Sequence, residues 1–114
     1  MWDEQKESLI IAEQYYFSLL WQKRYSEAEK YANDFNRLLK QHKITSPLWL
    51  ERAGDAALFA KDYSNAERKY KTTLKAQKNR SSSLMKLADV YFLEGRVEEE
   101  REVRESIYGV LNYE

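Results

Sequence analysis

The chain has 114 residues, which suits a single domain with one core, and its 43% apolar and 14% aromatic content excludes a disordered segment. Nineteen basic side chains balance nineteen acidic ones, so no net field attracts nucleic acid or an anionic membrane, and we expect neither as a partner. The absence of cysteine excludes disulfides, thiol catalysis and thiolate metal ligands.

The N-terminal sequence bears on localisation. Residues Met1 to Glu7 lack the basic start and apolar run of a secretory signal, and no segment approaches the roughly 20 apolar residues of a membrane span. We therefore expect no membrane insertion and favour the cytoplasm.

Long helices are predicted along the chain, because three glycines and one proline leave few turn signals. The first helix is predicted from Asp3 to about Lys23 and is apolar on more than one side. The face expected to pack on its own hairpin partner consists of Ala12, Tyr15, Tyr16 and Leu19. The second helix is predicted to open at Ser26.

The central hairpin has the clearest helix-start signals. Ser46 is the expected N-cap of the third helix, and Pro47 is its first residue. This helix carries Gly54, which costs about 1 kcal/mol of helix propensity relative to alanine and so indicates a very close neighbour. The fourth helix is predicted to open with a capping box over Ser64 to Glu67. We expect its Ala66 to meet Gly54 backbone to backbone.

The third hairpin is predicted from Leu84 onward. Its first helix is expected to reach Glu94, and Gly95 is expected to end it with a left-handed backbone. The last helix is predicted to begin near Val97 with the acids Glu98 to Glu100, which suit the positive end of a helix dipole.

These hairpins recur along the chain. The segment YSEAEK at Tyr25 to Lys30 reappears 38 residues later as YSNAER at Tyr63 to Arg68, and a weaker copy follows at a shift of 34. Two-helix repeats of this length are typical of stacked helical solenoids.

At these residues the chain resembles the tetratricopeptide repeat (TPR) family. The second copy matches the family motif at Leu50, Ala53, Gly54, Tyr63, Ala66 and Tyr70. The first copy departs by placing Tyr16 at the small-residue position, and the third has Glu100 where alanine is usual. The resemblance implies an all-α fold, a right-handed helical-hairpin solenoid of three TPR-like repeats and six helices. It implies one domain over residues 1–114, with repeats at about 9–46, 47–80 and 81–114.

The sequence offers little for catalysis. The single histidine, His42, is expected to be solvated or to cap a helix end. The acids Glu98 to Glu100 and Glu102 are better interpreted as a solvated helix start than as a metal or acid–base site, because adjacent residues on a helix point in different directions. Phosphate-binding loops and nucleophile elbows are absent from the sequence. We therefore predict no enzyme, no cofactor and no metal.

The resemblance also implies a concave groove lined by the first helix of each repeat. Carried over residue by residue, the groove consists of Glu13, Phe17, Leu20, Trp21, Glu51, Arg52, Asp55, Leu58, Phe59, Met85, Lys86, Asp89, Phe92 and Leu93. The expected ligand is a protein or peptide partner, with an apolar stripe and some basic residues. Two alternatives stay open. Leu20, Leu58 and Phe92 could instead pack between hairpins, and the charged positions could be ordinary surface charge.

The predicted function is protein–protein interaction, as a binding module or adaptor without catalysis. A second hypothesis starts from Trp2, Tyr108 and Tyr113, apolar residues toward the two ends of an array with no further capping helix. It predicts self-association as an assembly or scaffold element, or a fragment of a longer array. Dilution-dependent oligomers favour the second hypothesis, and a monomer favours the first.

Overall fold

The computed structural model describes residues 3–113, and it describes side chains from residue 8 to residue 109. These residues form six helices and no strand, which confirms the all-α prediction. The helices are α1 (Asp3–Trp21), α2 (Tyr25–Gln41), α3 (Pro47–Phe59), α4 (Tyr63–Ala76), α5 (Ser81–Leu93) and α6 (Val97–Tyr113). Helices adjacent in sequence pack against each other.

The same backbone turn follows α1, α3 and α5. In each turn a residue with left-handed backbone follows the helix, and the next amide donates back to a carbonyl in the last helical turn. The left-handed residues are Lys23 (φ 61°), Lys61 (φ 61°) and Gly95 (φ 73°), and a turn of the same kind with Lys43 (φ 60°) also follows α2. The closing hydrogen bonds run from Arg24 to Leu19 (2.9 Å), from Asp62 to Ala57 (2.9 Å) and from Arg96 to Tyr91 (2.8 Å). The 38- and 34-residue spacing of the sequence therefore recurs in the backbone, and the prediction for Gly95 is confirmed.

The helix starts confirm one predicted cap and correct two others. The Ser46 side chain accepts a hydrogen bond from the Trp49 amide at 3.2 Å, with Pro47 at the first helical position, as predicted. Helix α4, however, begins at Tyr63, and its cap is Asp62, so the predicted capping box at Ser64 is wrong. Helix α2 likewise begins one residue before Ser26. In both cases the preceding left-handed turn fixes where the helix can start.

The buried apolar side chains form two clusters. The first joins α1, α2 and α3 through Ala12, Tyr16, Leu19, Ala28, Ala32, Trp49, Ala53 and Ala56. The second joins α3, α4 and α5 through Ala57, Ala66, Tyr70, Leu87, Val90 and Tyr91, with Val103 of α6 packed against it. The first cluster is rich in alanine, which lets the helices approach closely around a few large rings. Helix α3 contributes to both clusters.

The nearest neighbour of Gly54 is a tyrosine ring. A Cβ atom built on Gly54 would lie 2.7 Å from Cε1 of Tyr70 and 2.8 Å from its Cδ1. Ala66 is buried in the same hairpin, but it is not among the atoms closest to that position. The space left by the glycine is filled by the fully buried ring of Tyr70, and the meeting of Gly54 and Ala66 stays a prediction.

Side-chain contacts also connect helices that are not adjacent in sequence. The hydrogen bonds run from Tyr16 Oη to the Arg52 carbonyl (2.6 Å), from Lys86 Nζ to Glu51 Oε2 (2.9 Å) and from Lys69 Nζ to Asn33 Oδ1 (2.9 Å). The first two join α1 to α3 and α3 to α5, and the third joins α2 to α4. Helix α3 therefore contacts both α1 and α5 as well as its neighbours in sequence.

Candidate partner-binding face

Six of the predicted groove residues expose large apolar side chains. They form what we call the apolar strip, which consists of Phe17, Trp21, Phe59, Met85, Phe92 and Leu93. Their exposed fractions range from 49% for Met85 to 90% for Trp21. Trp21, Phe59 and Leu93 are the last residues of α1, α3 and α5, immediately before the shared turn. These three residues of the strip therefore occupy the same position in each hairpin.

Leu20 and Leu58 behave differently from the strip. Leu20 is partly buried against the first core cluster, and Leu58 is partly buried against the second. Phe92, at the same repeat position, is 64% exposed. The alternative of packing between hairpins thus describes Leu20 and Leu58, while Phe92 remains available to solvent.

Arg52 is buried, although it was expected to line the groove. Its guanidinium carbon lies 4.7 Å from the Trp49 ring centroid and 5.1 Å from that of Phe17. Nη2 donates to Glu13 Oε1 at 3.1 Å, and the buried Nη1 has no hydrogen-bond partner among the described residues. The faces of the two rings stabilise the cation in place of further hydrogen bonds. Arg52 therefore supports Phe17 from below.

Glu51 is also buried, and it accepts hydrogen bonds from four side chains. The donors are Arg80 Nε (3.0 Å), Ser82 Oγ (2.7 Å), Ser83 Oγ (2.6 Å) and Lys86 Nζ (2.9 Å). Burial by itself raises the pKa of this carboxyl, but the four hydrogen bonds outweigh burial and lower the pKa to about 2. Glu51 thus holds α5 and the turn before it against α3, and its side chain offers no contact area to a partner.

The remaining charged positions pair mostly with each other. Asp55 accepts from Tyr70 Oη at 2.7 Å and from Lys86 Nζ at 3.0 Å. Burial raises the pKa of Asp55, and both of these hydrogen bonds oppose the rise. Asp89 accepts from Arg104 of α6 at 3.3 Å and stays largely exposed. Most charged side chains beside the apolar strip are therefore paired with other residues of the chain. Asp89 and Glu13 are paired too, but their side chains are also partly exposed.

Sequence reasoning missed Tyr25. Its ring stacks on Phe59 with a centroid distance of 5.8 Å and an interplanar angle of 20°. Tyr25 opens α2 and corresponds to Tyr63 in the second hairpin, so its recurrence was visible in the sequence, but its contact with the next hairpin was not. The stacking fixes the orientation of Phe59 at the surface.

No three potential metal-binding side chains cluster among the described residues. None of the described helices is both long and apolar enough to cross a bilayer. His42 is exposed at the end of α2, where its backbone amide donates to Leu39. Trp2 lies outside the described residues, as does the side chain of Tyr113.

Comparison with known proteins adds no assignment. No protein-family model matches this chain, and no curated protein sequence matches it.

Proposed function

We propose that this chain is a three-repeat TPR-like solenoid that acts as a protein-interaction module, without catalysis. Its ligand is a peptide or helix of a partner protein that docks on the apolar strip. The observation that carries the proposal is the exposure of Trp21, Phe59 and Leu93 at one repeated position in the three hairpins. Large exposed apolar side chains that recur at one repeat position are expected to form a patch, and such patches on monomers commonly mark interaction sites.

The side chains of the strip also fit the energetics of recognition. Tryptophan and other large aromatic residues carry much of the binding energy at interfaces, because each buries a large area and loses little conformational entropy. Phe59 is stacked on Tyr25, and Phe17 lies over the buried Arg52. Both rings are thus held in position before a partner arrives, which lowers the entropic cost of binding.

The charges at the edge of the strip favour a partner with basic residues. Glu13 and Asp89 have side chains that are 42% and 56% exposed, so each can accept a further hydrogen bond. A helix with an apolar stripe flanked by lysine or arginine would satisfy both features.

Site-specific crosslinking tests the proposal. A photoreactive phenylalanine analogue placed at Phe59 is expected to crosslink a partner in the source cell, whereas the same analogue at the exposed Tyr108 is not. Affinity capture should lose that partner when Phe59→Ala and Asp89→Ala are combined. Recovery of the same partners by the variant and the wild type would contradict the assignment of the strip.

Self-association is a second candidate, favoured by apolar exposure on the terminal helices. Ile10, Ile11 and Tyr15 of α1 and Tyr108 of α6 are each about half exposed or more. Sedimentation over a dilution series distinguishes the candidates. Self-association predicts a mass that falls on dilution and in an Ile11→Ser variant, and the interaction module predicts a monomer at every concentration.

A further inference from the structure

A cleft of about 560 Å³ lies between α2 and α4, away from every residue of the apolar strip. Its floor is formed by α3, and its rim by the loop between α2 and α3. Four cationic side chains line it, namely Arg37, Lys40, Arg68 and Lys69. No carboxylate is present among the described residues that line the cleft, although the chain as a whole carries no net charge.

The positive charge of the cleft is only partly compensated. Arg37 pairs with Asp34 at 3.2 Å, but Asp34 also binds Lys30 at 2.8 Å. Lys40 has no carboxylate at ion-pair distance among the described residues, and the nearby Asp34 binds Lys30 and Arg37. Burial lowers the pKa of Lys69, and the charge of Arg68 lowers it further. The effect of Arg68 reports two like charges close together, which Glu29 offsets only in part and which an anion in the cleft would relieve.

The cleft lies where the first two hairpins differ in the length of their second helix. Helix α2 has 17 residues and α4 has 14, and the longer repeat spacing of 38 residues falls on this part of the chain. The added turn carries Lys40, and the loop that follows it contributes Ile44 and Thr45 to the rim. The hydrogen bond between Lys69 and Asn33 links α4 to α2 at the cleft.

We propose that this cleft binds a phosphate monoester, which goes beyond the function proposed for the apolar strip. Two guanidinium groups offer paired N–H donors that match phosphate oxygens, and the lysines add point charges. A dianion neutralises more of the four charges than a single carboxylate does. The volume exceeds that of a bare phosphate and falls in the usual range of ligand pockets, so it accommodates the organic group that carries the ester.

Titration of the intact chain with O-phosphoserine at constant ionic strength tests the site, with backbone amide NMR as the readout. Saturable shifts are expected at Asn33, Thr45 and Lys69. Arg37→Gln and Arg68→Gln should each weaken binding about tenfold, as expected for losing one hydrogen bond to a charged group. The matched control is Arg101→Gln, which removes the same charge from an exposed position on α6 and should leave the affinity unchanged.

A second measurement does not depend on the variants. Phosphate should raise the melting temperature of the wild type relative to chloride at the same ionic strength, because a ligand that binds the folded state stabilises it. Shifts that stay linear with concentration, or equal affinities for Arg68→Gln and Arg101→Gln, would overturn the proposal.

Further titrations identify the source of the phosphate. A phosphoserine peptide that binds more tightly than free O-phosphoserine indicates a modified protein partner, and equal binding indicates a small phosphate ester. Both results support the site. A peptide with glutamate in place of phosphoserine is expected to bind about tenfold more weakly or worse, and equal binding would overturn the assignment to phosphate.

Discussion

At the scale of single residues, the first two hairpins differ in which helix supplies the large buried ring and which supplies the small residue opposite it. Tyr16 stands at the position that Gly54 occupies 38 residues later, and Ala32 stands at the position of Tyr70. Both tyrosines are fully buried. The first hairpin therefore takes its ring from its first helix, and the second hairpin takes it from its second helix. The sequence shows Tyr16 as a departure from the repeat. That Ala32 compensates for it becomes clear only when the pair Tyr16 and Ala32 is compared with the pair Gly54 and Tyr70.

Gly54→Ala tests this packing directly. Its added Cβ would lie within 2.8 Å of two Tyr70 ring atoms, and the ring cannot swing away because its hydroxyl donates to Asp55 at 2.7 Å. Overpacking of this kind costs about 1–3 kcal/mol. We expect that cost to exceed the helix-propensity gain of about 1 kcal/mol, so the free energy of unfolding measured in urea should fall.

Gly109→Ala is the matched control for this substitution. Gly109 also lies inside a helix, but no atom of the described residues comes within 4 Å of its added Cβ, so the propensity gain should appear without a packing cost. A Gly54→Ala protein as stable as the Gly109→Ala protein would show that Gly54 is not needed for the Tyr70 contact.

At the scale of helices, their number and approximate limits followed from the sequence, whereas the caps followed only in part. Ser46 and Pro47 give the start of α3 correctly because they act locally. The pattern at Ser64 gave the wrong cap for α4. A serine three residues before a glutamate also fits the first turn of a helix that has already begun. What decides the start of α4 is the left-handed Lys61 and the bond that Asp62 makes back to α3. A lysine in that conformation gives no clear signal in the sequence.

The contact between α3 and α5 depends on Glu51, and it predicts a pH dependence. The carboxyl of Glu51 has its pKa lowered from an ordinary value of 4.5 to about 2 in the folded chain. The resulting stability is present above pH 4.5 and is lost as the pH falls through about 2. At about 1.4 kcal/mol per pKa unit, the contribution is about 3 kcal/mol near neutral pH. Glu51→Gln should lose that amount at pH 7, as measured by urea unfolding.

The difference between the Glu51→Gln protein and the wild type should shrink as the pH falls from about 4.5 to about 2, because protonation removes the same charge from the wild type. Glu98→Gln serves as the control, since its side chain is 73% exposed and its ion pair with Arg101 should contribute less than about 1 kcal/mol. A constant difference across this pH range would show that Glu51 acts through shape and not through charge.

At the scale of the whole molecule, the sequence predicted the order of the helices and most of the exposed strip better than it predicted the charges. Trp21, Phe59 and Leu93 follow from repeat position, because an exposed position in one hairpin recurs in the next. The burial of Glu51 could not be predicted, since its partners Ser83 and Lys86 lie more than thirty residues away. A carboxylate is buried only when such donors converge on it, and single-sequence patterns do not report that convergence.

The division of the core into two clusters leads to a prediction about local unfolding. Leu19 of α1 belongs to the first cluster and Leu87 of α5 to the second, and both are at most 4% exposed. Leu19→Ala and Leu87→Ala should each cost about 2–5 kcal/mol, because each leaves a cavity of similar size. In a chain whose helices pack mainly on their neighbours, the damage should remain local.

Hydrogen exchange measured by mass spectrometry reports where each variant opens. Leu19→Ala should speed exchange in α1 and α2 far more than in α5 and α6, and Leu87→Ala should do the reverse. Helix α3 contributes Trp49, Ala53 and Ala56 to the first cluster and Ala57 to the second, so its amides should exchange slowest in both variants. A uniform increase along the chain in either variant would mean that the two clusters unfold as one unit. In that case α3 transmits the loss across the whole molecule instead of confining it.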